Sequence, residues 1–116
     1  MKECTKVERL TCIVDEDRTH NGEPLYRAIV NAAQENGIGG ATVTRGIMGF
    51  GAGKRIHRDR PLGRNSDLPI VIRIVDEKDK LDVFSKDLCE MVEQGIILRE
   101  PVHMCLVRCG GETIKE

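Results

Sequence analysis

Polar and apolar residues alternate from Val7 to Val14, with Leu10, Cys12 and Val14 on one side and Arg9, Thr11 and Ile13 on the other. A period of two over this length predicts a strand. Asp15 to Gly22 is polar and predicts a loop, after which Glu23-Pro24 opens a helix with proline in the first turn, where its missing N–H costs nothing. Leu25, Ala28, Ile29, Ala32 and Ala33 form the helix's apolar stripe, and Gly37 is expected to end it as a left-handed cap. Thr42 to Phe50 predicts a second strand. Leu68 to Val75 predicts a third, with Ile70, Ile72 and Ile74 on one face. Asp79 is the expected N-cap of a second helix with Leu81, Phe84, Leu88 and Met91 or Val92 as its stripe, closed by Gly95 as Gly37 closes the first. A last strand runs through Val102, Met104 and Leu106.

The resulting order is βαβ, a loop over residues 51–66, and βαβ again. It predicts an α+β, ferredoxin-like domain spanning residues 1–116, a four-stranded antiparallel sheet with two helices on one face. The face without helices would carry Thr11, Ile13, Val71, Val75 and Val107. That set is too apolar for a solvated surface, so an oligomer packed sheet to sheet is expected.

With 116 residues the chain buries about two thirds of its unfolded surface and needs no disulfide scaffold. Its aromatic residues are Tyr26, Phe50 and Phe84, too few for broad stacking on bases, and its net charge is -1. Nucleic acid is therefore not an expected partner. The five cysteines, Cys4, Cys12, Cys89, Cys105 and Cys109, include no Cys-x-x-Cys pair and read as reduced thiols serving as small hydrophobes. His20, His57 and His103 have no metal-like spacing, so no metal is expected. Without an apolar signal core or an apolar run of membrane-spanning length, a cytoplasmic location is expected.

Charge is concentrated in one place. Residues 54–64 hold Lys54, Arg55, Arg58, Arg60 and Arg64, with His57 among them, against Asp59 alone. They follow a glycine-rich run, Gly46-Ile47-Met48-Gly49-Phe50-Gly51-Ala52-Gly53, and glycine lets a backbone approach a ligand closely while peptide N–H groups and cations attract anionic oxygens. A P-loop is excluded, because Met48 holds the first glycine position and Arg55 follows Lys54; a dinucleotide fingerprint is excluded because no helix follows. Tight chain packing is the alternative reading of these glycines. No nucleophile and base are identifiable together, so catalysis is not expected.

The run Gly40-Ala41-Thr42-Val43-Thr44 through Gly49-Phe50-Gly51, followed by a long loop and an Ile-Val-rich strand, resembles the PII signalling proteins, and most closely the short PII-like family of unassigned function. The similarity covers residues 7–112. It implies a homotrimeric regulator with adenine nucleotide in clefts between subunits and a long loop that reaches a target protein, a membrane transporter or an enzyme. Residues matching the nucleotide site are Thr42, Gly49, Phe50 and Gly51, with Arg108 the nearest match to the phosphate-binding arginines of the C-terminal segment; Arg45 and Lys54 are further candidate phosphate partners. Arg55, His57, Arg58, Arg60 and Arg64 would face the target. The phosphate loop expected after the second helix is replaced by Gly95-Ile96-Ile97-Leu98-Arg99-Glu100-Pro101, so AMP or ADP, which need fewer donors, are favoured over ATP. The loop has no tyrosine, so the resemblance does not extend to control by uridylylation. The alternatives are a nucleic-acid-binding ferredoxin-like module and a small nucleotide hydrolase.

Overall fold

The computed structural model describes residues 2–50, 57–58 and 67–107. In chain order the elements are β1 (Lys2–Asp15), β2 (Thr19–His20), β3 (Glu23–Pro24), α1 (Leu25–Glu35), β4 (Gly40–Arg45), β5 (Met48–Gly49), β6 (His57–Arg58), β7 (Pro69–Asp76), α2 (Lys78–Met91) and β8 (Ile96–Val107). The main sheet is antiparallel with strand order β4-β7-β1-β8. Both helices contribute to a single core, so the α+β, ferredoxin-like architecture is the one expected.

The core lies between the helices and one face of the sheet. Leu10, Cys12 and Val14 of β1 and Ile70, Ile72 and Ile74 of β7 meet Leu25, Ile29 and Ala33 of α1 and Leu81, Phe84 and Leu88 of α2. Alternation along the two central strands puts all six strand residues on that side, and burying each large aliphatic or aromatic side chain contributes about 1.5–3 kcal/mol. Burial also pushes the Cys12 thiol up to about 11, with Cys89 adding to the shift.

Several boundaries differ from the pattern reading. β1 begins at Lys2 rather than Val7 because it pairs with β8 as far as Val107, in a stretch where residues 4–6 are exposed and the apolar alternation that marks a half-buried strand is absent. The register places Val107 opposite Lys2, on the parity of Leu10 and Cys12, and so not on the bare face with Val71 and Val75. Glu23–Pro24 pairs with Thr19–His20, which makes Pro24 the N-cap of α1 instead of a first-turn residue. The N-cap of α2 is Glu77, and Asp79 lies within the first turn.

The two expected glycine caps have different roles. Gly37 has φ +73°, the left-handed conformation that follows a helix end. Gly95 does not. A Cβ there would lie 2.8 Å from the Ile13 carbonyl oxygen, 3.0 Å from Val92 Cγ1 and 3.1 Å from Val14 Cγ1, so this glycine is required by close approach of the chain to β1.

Cys4 and Cys105 face each other across β1 and β8 and form a disulfide, contrary to the expectation that all the cysteines are thiols. Strand pairing, invisible in the cysteine spacing, brings together residues 101 positions apart. Among the described residues, Cys12 and Cys89 are free.

Gly95→Ala is expected to destabilise the fold by about 1–3 kcal/mol through overpacking against backbone. Gly40→Ala, where an added Cβ meets nothing within 4 Å, serves as control. Thermal denaturation decides it, and equal midpoints for Gly95→Ala and wild type would remove the tight contact. Alkylation at pH 8 without reductant is expected to mark exposed Cys89 and spare Cys12, whose pKa near 11 keeps it a thiol. Peptide mapping should show Cys4 and Cys105 labelled only after reduction, and their labelling beforehand would show the cross-strand bond unmade.

Candidate functional site at the β4 edge

β4 is an edge strand, and all six of its residues are exposed. Its entry is fixed by Asp76, whose Oδ2 accepts a hydrogen bond from the Gly39 amide at 2.9 Å while Oδ1 accepts from the Glu77 amide at 2.7 Å. One carboxylate thus ties the α1–β4 turn to the start of α2. The exit is fixed by the Gly46 amide, which donates to the Pro69 carbonyl at 2.7 Å.

The chain then leaves the main sheet. After Gly46-Ile47, Met48–Gly49 pairs with His57–Arg58 in a separate two-stranded ribbon, so the expected second strand is divided at Gly46. The glycines allow this through packing. A Cβ at Gly46 would come within 2.8 Å of Pro69 Cγ, and one at Gly49 within 3.3 Å. Close passage over Pro69 is therefore the local reason for glycine at both positions. Beside them Ile47 is 89% exposed, Met48 58% and Phe50 72%, an apolar cluster unusual for a solvated turn.

The sequence-derived site residues divide accordingly. Thr42 lies on β4 opposite Arg73, Gly49 on β5 over Pro69, and Phe50 at the end of the described segment. Arg45 is engaged: its Nη2 donates to Glu16 Oε2, whose side chain is only 13% exposed against 61% for the arginine. His57 and Arg58 are strand residues paired with Gly49 and Met48 rather than members of a continuous loop. Gly51, Lys54, Arg55, Arg60, Arg64 and Arg108, and the expectation of a mobile segment over the rest of residues 51–66, lie outside the described residues.

Two charged residues beside this edge were not among the expected site residues. Glu16 follows β1, where its amide donates to the Leu68 carbonyl at 2.9 Å. Nothing in the local pattern distinguishes it from Asp15 and Asp17. Arg73 is the sole cation inside the apolar run Ile70 to Val75, and that interruption is a readable signal. Its Nη1 donates to Thr44 Oγ1 at 3.4 Å.

Among the described residues the rest of the bare face is largely apolar, with one ion pair. Val71, Val75, Thr11 and Ile13 are half-buried, while Leu98 is 55% exposed and Ile96 39%. Arg9 Nε donates to Glu100 Oε1 at 2.9 Å across β1 and β8. On the helix side Arg99 bridges Glu8 and Asp82 at 2.5 and 2.7 Å, and Lys78 and Arg99 together hold the Asp82 carboxyl below its usual range. A hollow of about 560 Å³ between residues 17–21 and the end of α2, spanned by the Arg18–Gln94 hydrogen bond of 2.5 Å, contains none of the expected site residues.

Arg45→Gln should lower stability by about 1–2 kcal/mol, because it leaves the largely buried Glu16 carboxylate without its cation. The double change with Glu16→Gln should recover most of that loss. Urea denaturation of the four proteins gives the coupling energy, and strict additivity would show the pair to be a surface contact without energetic weight.

Residues 7–104 match the model of the family DUF190, "Uncharacterized ACR, COG1993". A UPF0166 protein of Aquifex aeolicus is 33% identical over 99 residues, 85% of this chain and 93% of that protein. Among solved structures, CPII of Thiomonas intermedia K12, a nitrogen regulatory PII-like protein bound to ADP, AMP and bicarbonate, superposes with TM-score 0.68 at 12% identity over 88% of this chain and 91% of that one. TTHA0516 of Thermus thermophilus, a putative PII-like signaling protein, superposes with TM-score 0.60 at 13% identity over 90% and 93% of the two chains.

Proposed function

The chain belongs to the DUF190 family, and from that membership and its PII-like fold we propose that it is a trimeric regulatory protein that binds AMP or ADP between subunits and signals to a partner protein. The observation that carries the reading is the β4 edge. A strand whose six residues are all exposed, Thr42 among them, passes into Gly49 and Phe50 beside a sheet face that no helix among the described residues covers. Ile13, Val71, Val75, Ile96 and Leu98 on that face call for a partner, and a second copy of the chain supplies one of matching character. Such a contact turns each exposed edge into one wall of a cleft, where Phe50 packs against the adenine and the backbone near Gly49 approaches the ribose and phosphates. Gly51, Lys54 and Arg108 complete the site in this reading.

The presence of ADP and AMP in CPII supports adenine nucleotide as the ligand class. Partner recognition falls to residues 51–66, with Arg55, His57, Arg58, Arg60 and Arg64 presenting positive charge to the target. The reading assigns no catalytic role to any residue and no resident cofactor.

Titration calorimetry with AMP, ADP, ATP, GMP and GDP, run beside light scattering, tests it. The expected result is a particle of three times the chain mass that binds AMP and ADP in preference to the guanine nucleotides. A monodisperse monomer removes the trimer, and absence of heat with every adenine nucleotide at millimolar concentration removes the site.

A further inference from the structure

The described arginines differ in what answers their charge. Arg9 has Glu100, Arg45 has Glu16, Arg99 has Glu8 and Asp82, and Arg18 has the Gln94 amide. Arg27 projects from the exposed side of α1. Arg73 stands on β7, an interior strand, with only the 3.4 Å contact to Thr44 Oγ1 and no carboxylate partner among the described residues.

Its neighbours are hydroxyls. The register sets Thr11 of β1 and Thr42 of β4 directly opposite Arg73 on either side, and directly opposed side chains have Cβ atoms about 4.5–5.5 Å apart. Thr44 is one step further along β4, opposite Val71. Alternation puts all four on the face without helices, framed by Val71 and Val75 of the same strand. Arg9 lies diagonal to Arg73, opposite Val75, so among the described residues this part of the face holds two guanidinium groups and the Glu100 carboxylate.

A planar guanidinium with unused donors, flanked by hydroxyls that donate or accept, suits a phosphoryl oxygen. Covering this face with another subunit would withdraw the cation from water, and an unanswered guanidinium there is costly while an anion bound to it is held more strongly. We infer that Arg73, with Thr11, Thr42 and Thr44 around it, is an oxyanion-binding site that receives a phosphoryl group of the nucleotide. The identity of the ligand rests on the proposed function; the anion site rests on the sheet register. Arg45, already held by Glu16, is the less available cation of the two.

The test uses the full chain, with ADP and inorganic pyrophosphate as separate probes in calorimetry and light scattering on every variant. Arg73→Gln is expected to weaken both probes by about 10- to 100-fold with the particle mass unchanged. Arg73→Lys should retain part of the affinity, since it keeps the charge and loses the fork. Arg27→Gln should match wild type. Wild-type affinity in Arg73→Gln, for a protein that binds ADP, overturns the site and leaves the nucleotide reading standing. Arg73-dependent binding of pyrophosphate without binding of any adenine nucleotide upholds the site and removes that reading. Collapse of Arg73→Gln to a smaller particle shows that a neighbouring subunit's carboxylate answers Arg73, which overturns the site. A wild type that binds neither probe overturns both.

Discussion

A four-stranded sheet with both helices on one face depends on one-sided burial. Leu10, Cys12 and Val14 on β1 and Ile70, Ile72 and Ile74 on β7 gather beneath α1 and α2, and this cluster fixes the register of the two central strands. A slip of either strand by one residue would turn its three core residues outward. The same alternation dictates what stands on the other face, so Val71, Arg73 and Val75 are consequences of the core register as much as Ile70 and Ile72 are. Val7 is an exception worth its own account: it sits opposite Val102 on the bare-face parity, yet is buried outside the helix-side cluster. The bare face is therefore not uniform along β1.

The β4 edge follows from the core by a short chain of contacts. Register places Pro69 at the start of β7, and Gly46 and Gly49 cross over its ring, with the Gly46 amide bonded to its carbonyl. Any side chain at Gly46 would push the chain off this path. Glu16 reaches the same corner from the end of β1 and holds Arg45, so the Gly46–Pro69 and Glu16–Leu68 backbone bonds, two glycine contacts and an ion pair all act at this corner. Here Gly46 and Gly49 are required by packing over Pro69, a reason independent of any ligand.

The order of major elements is legible because periodicity records burial. α1 and α2 display their stripes at Leu25, Ile29 and Ala33 and at Leu81, Phe84 and Leu88, and each stripe is buried where expected. Legibility ends where burial ends. The outer half of the β1–β8 ribbon has exposed residues and no alternation, so the pattern starts the first strand at Val7 while pairing starts it at Lys2, and the Cys4–Cys105 bond depends on a register that only the folded chain provides. Gly37 and Gly95 look alike in sequence, each followed by isoleucine, yet one supplies a left-handed turn and the other the absence of a Cβ.

At the candidate site the same distinction separates Arg45 from Arg73. Cation spacing singles out the residues after the glycines, because clustered charge is visible in sequence, whereas partnership is not. In the fold Arg45 meets a carboxylate from a segment 29 residues away, whereas Arg73 touches Thr44 and has Thr11 of β1 and Thr42 of β4 as its register neighbours. A guanidinium already hydrogen-bonded to a carboxylate must give up that bond before it can take another anion. One flanked by hydroxyls gives up only water and weak contacts, which makes the isolated arginine in the apolar strand the better anion receptor despite its distance from the basic stretch.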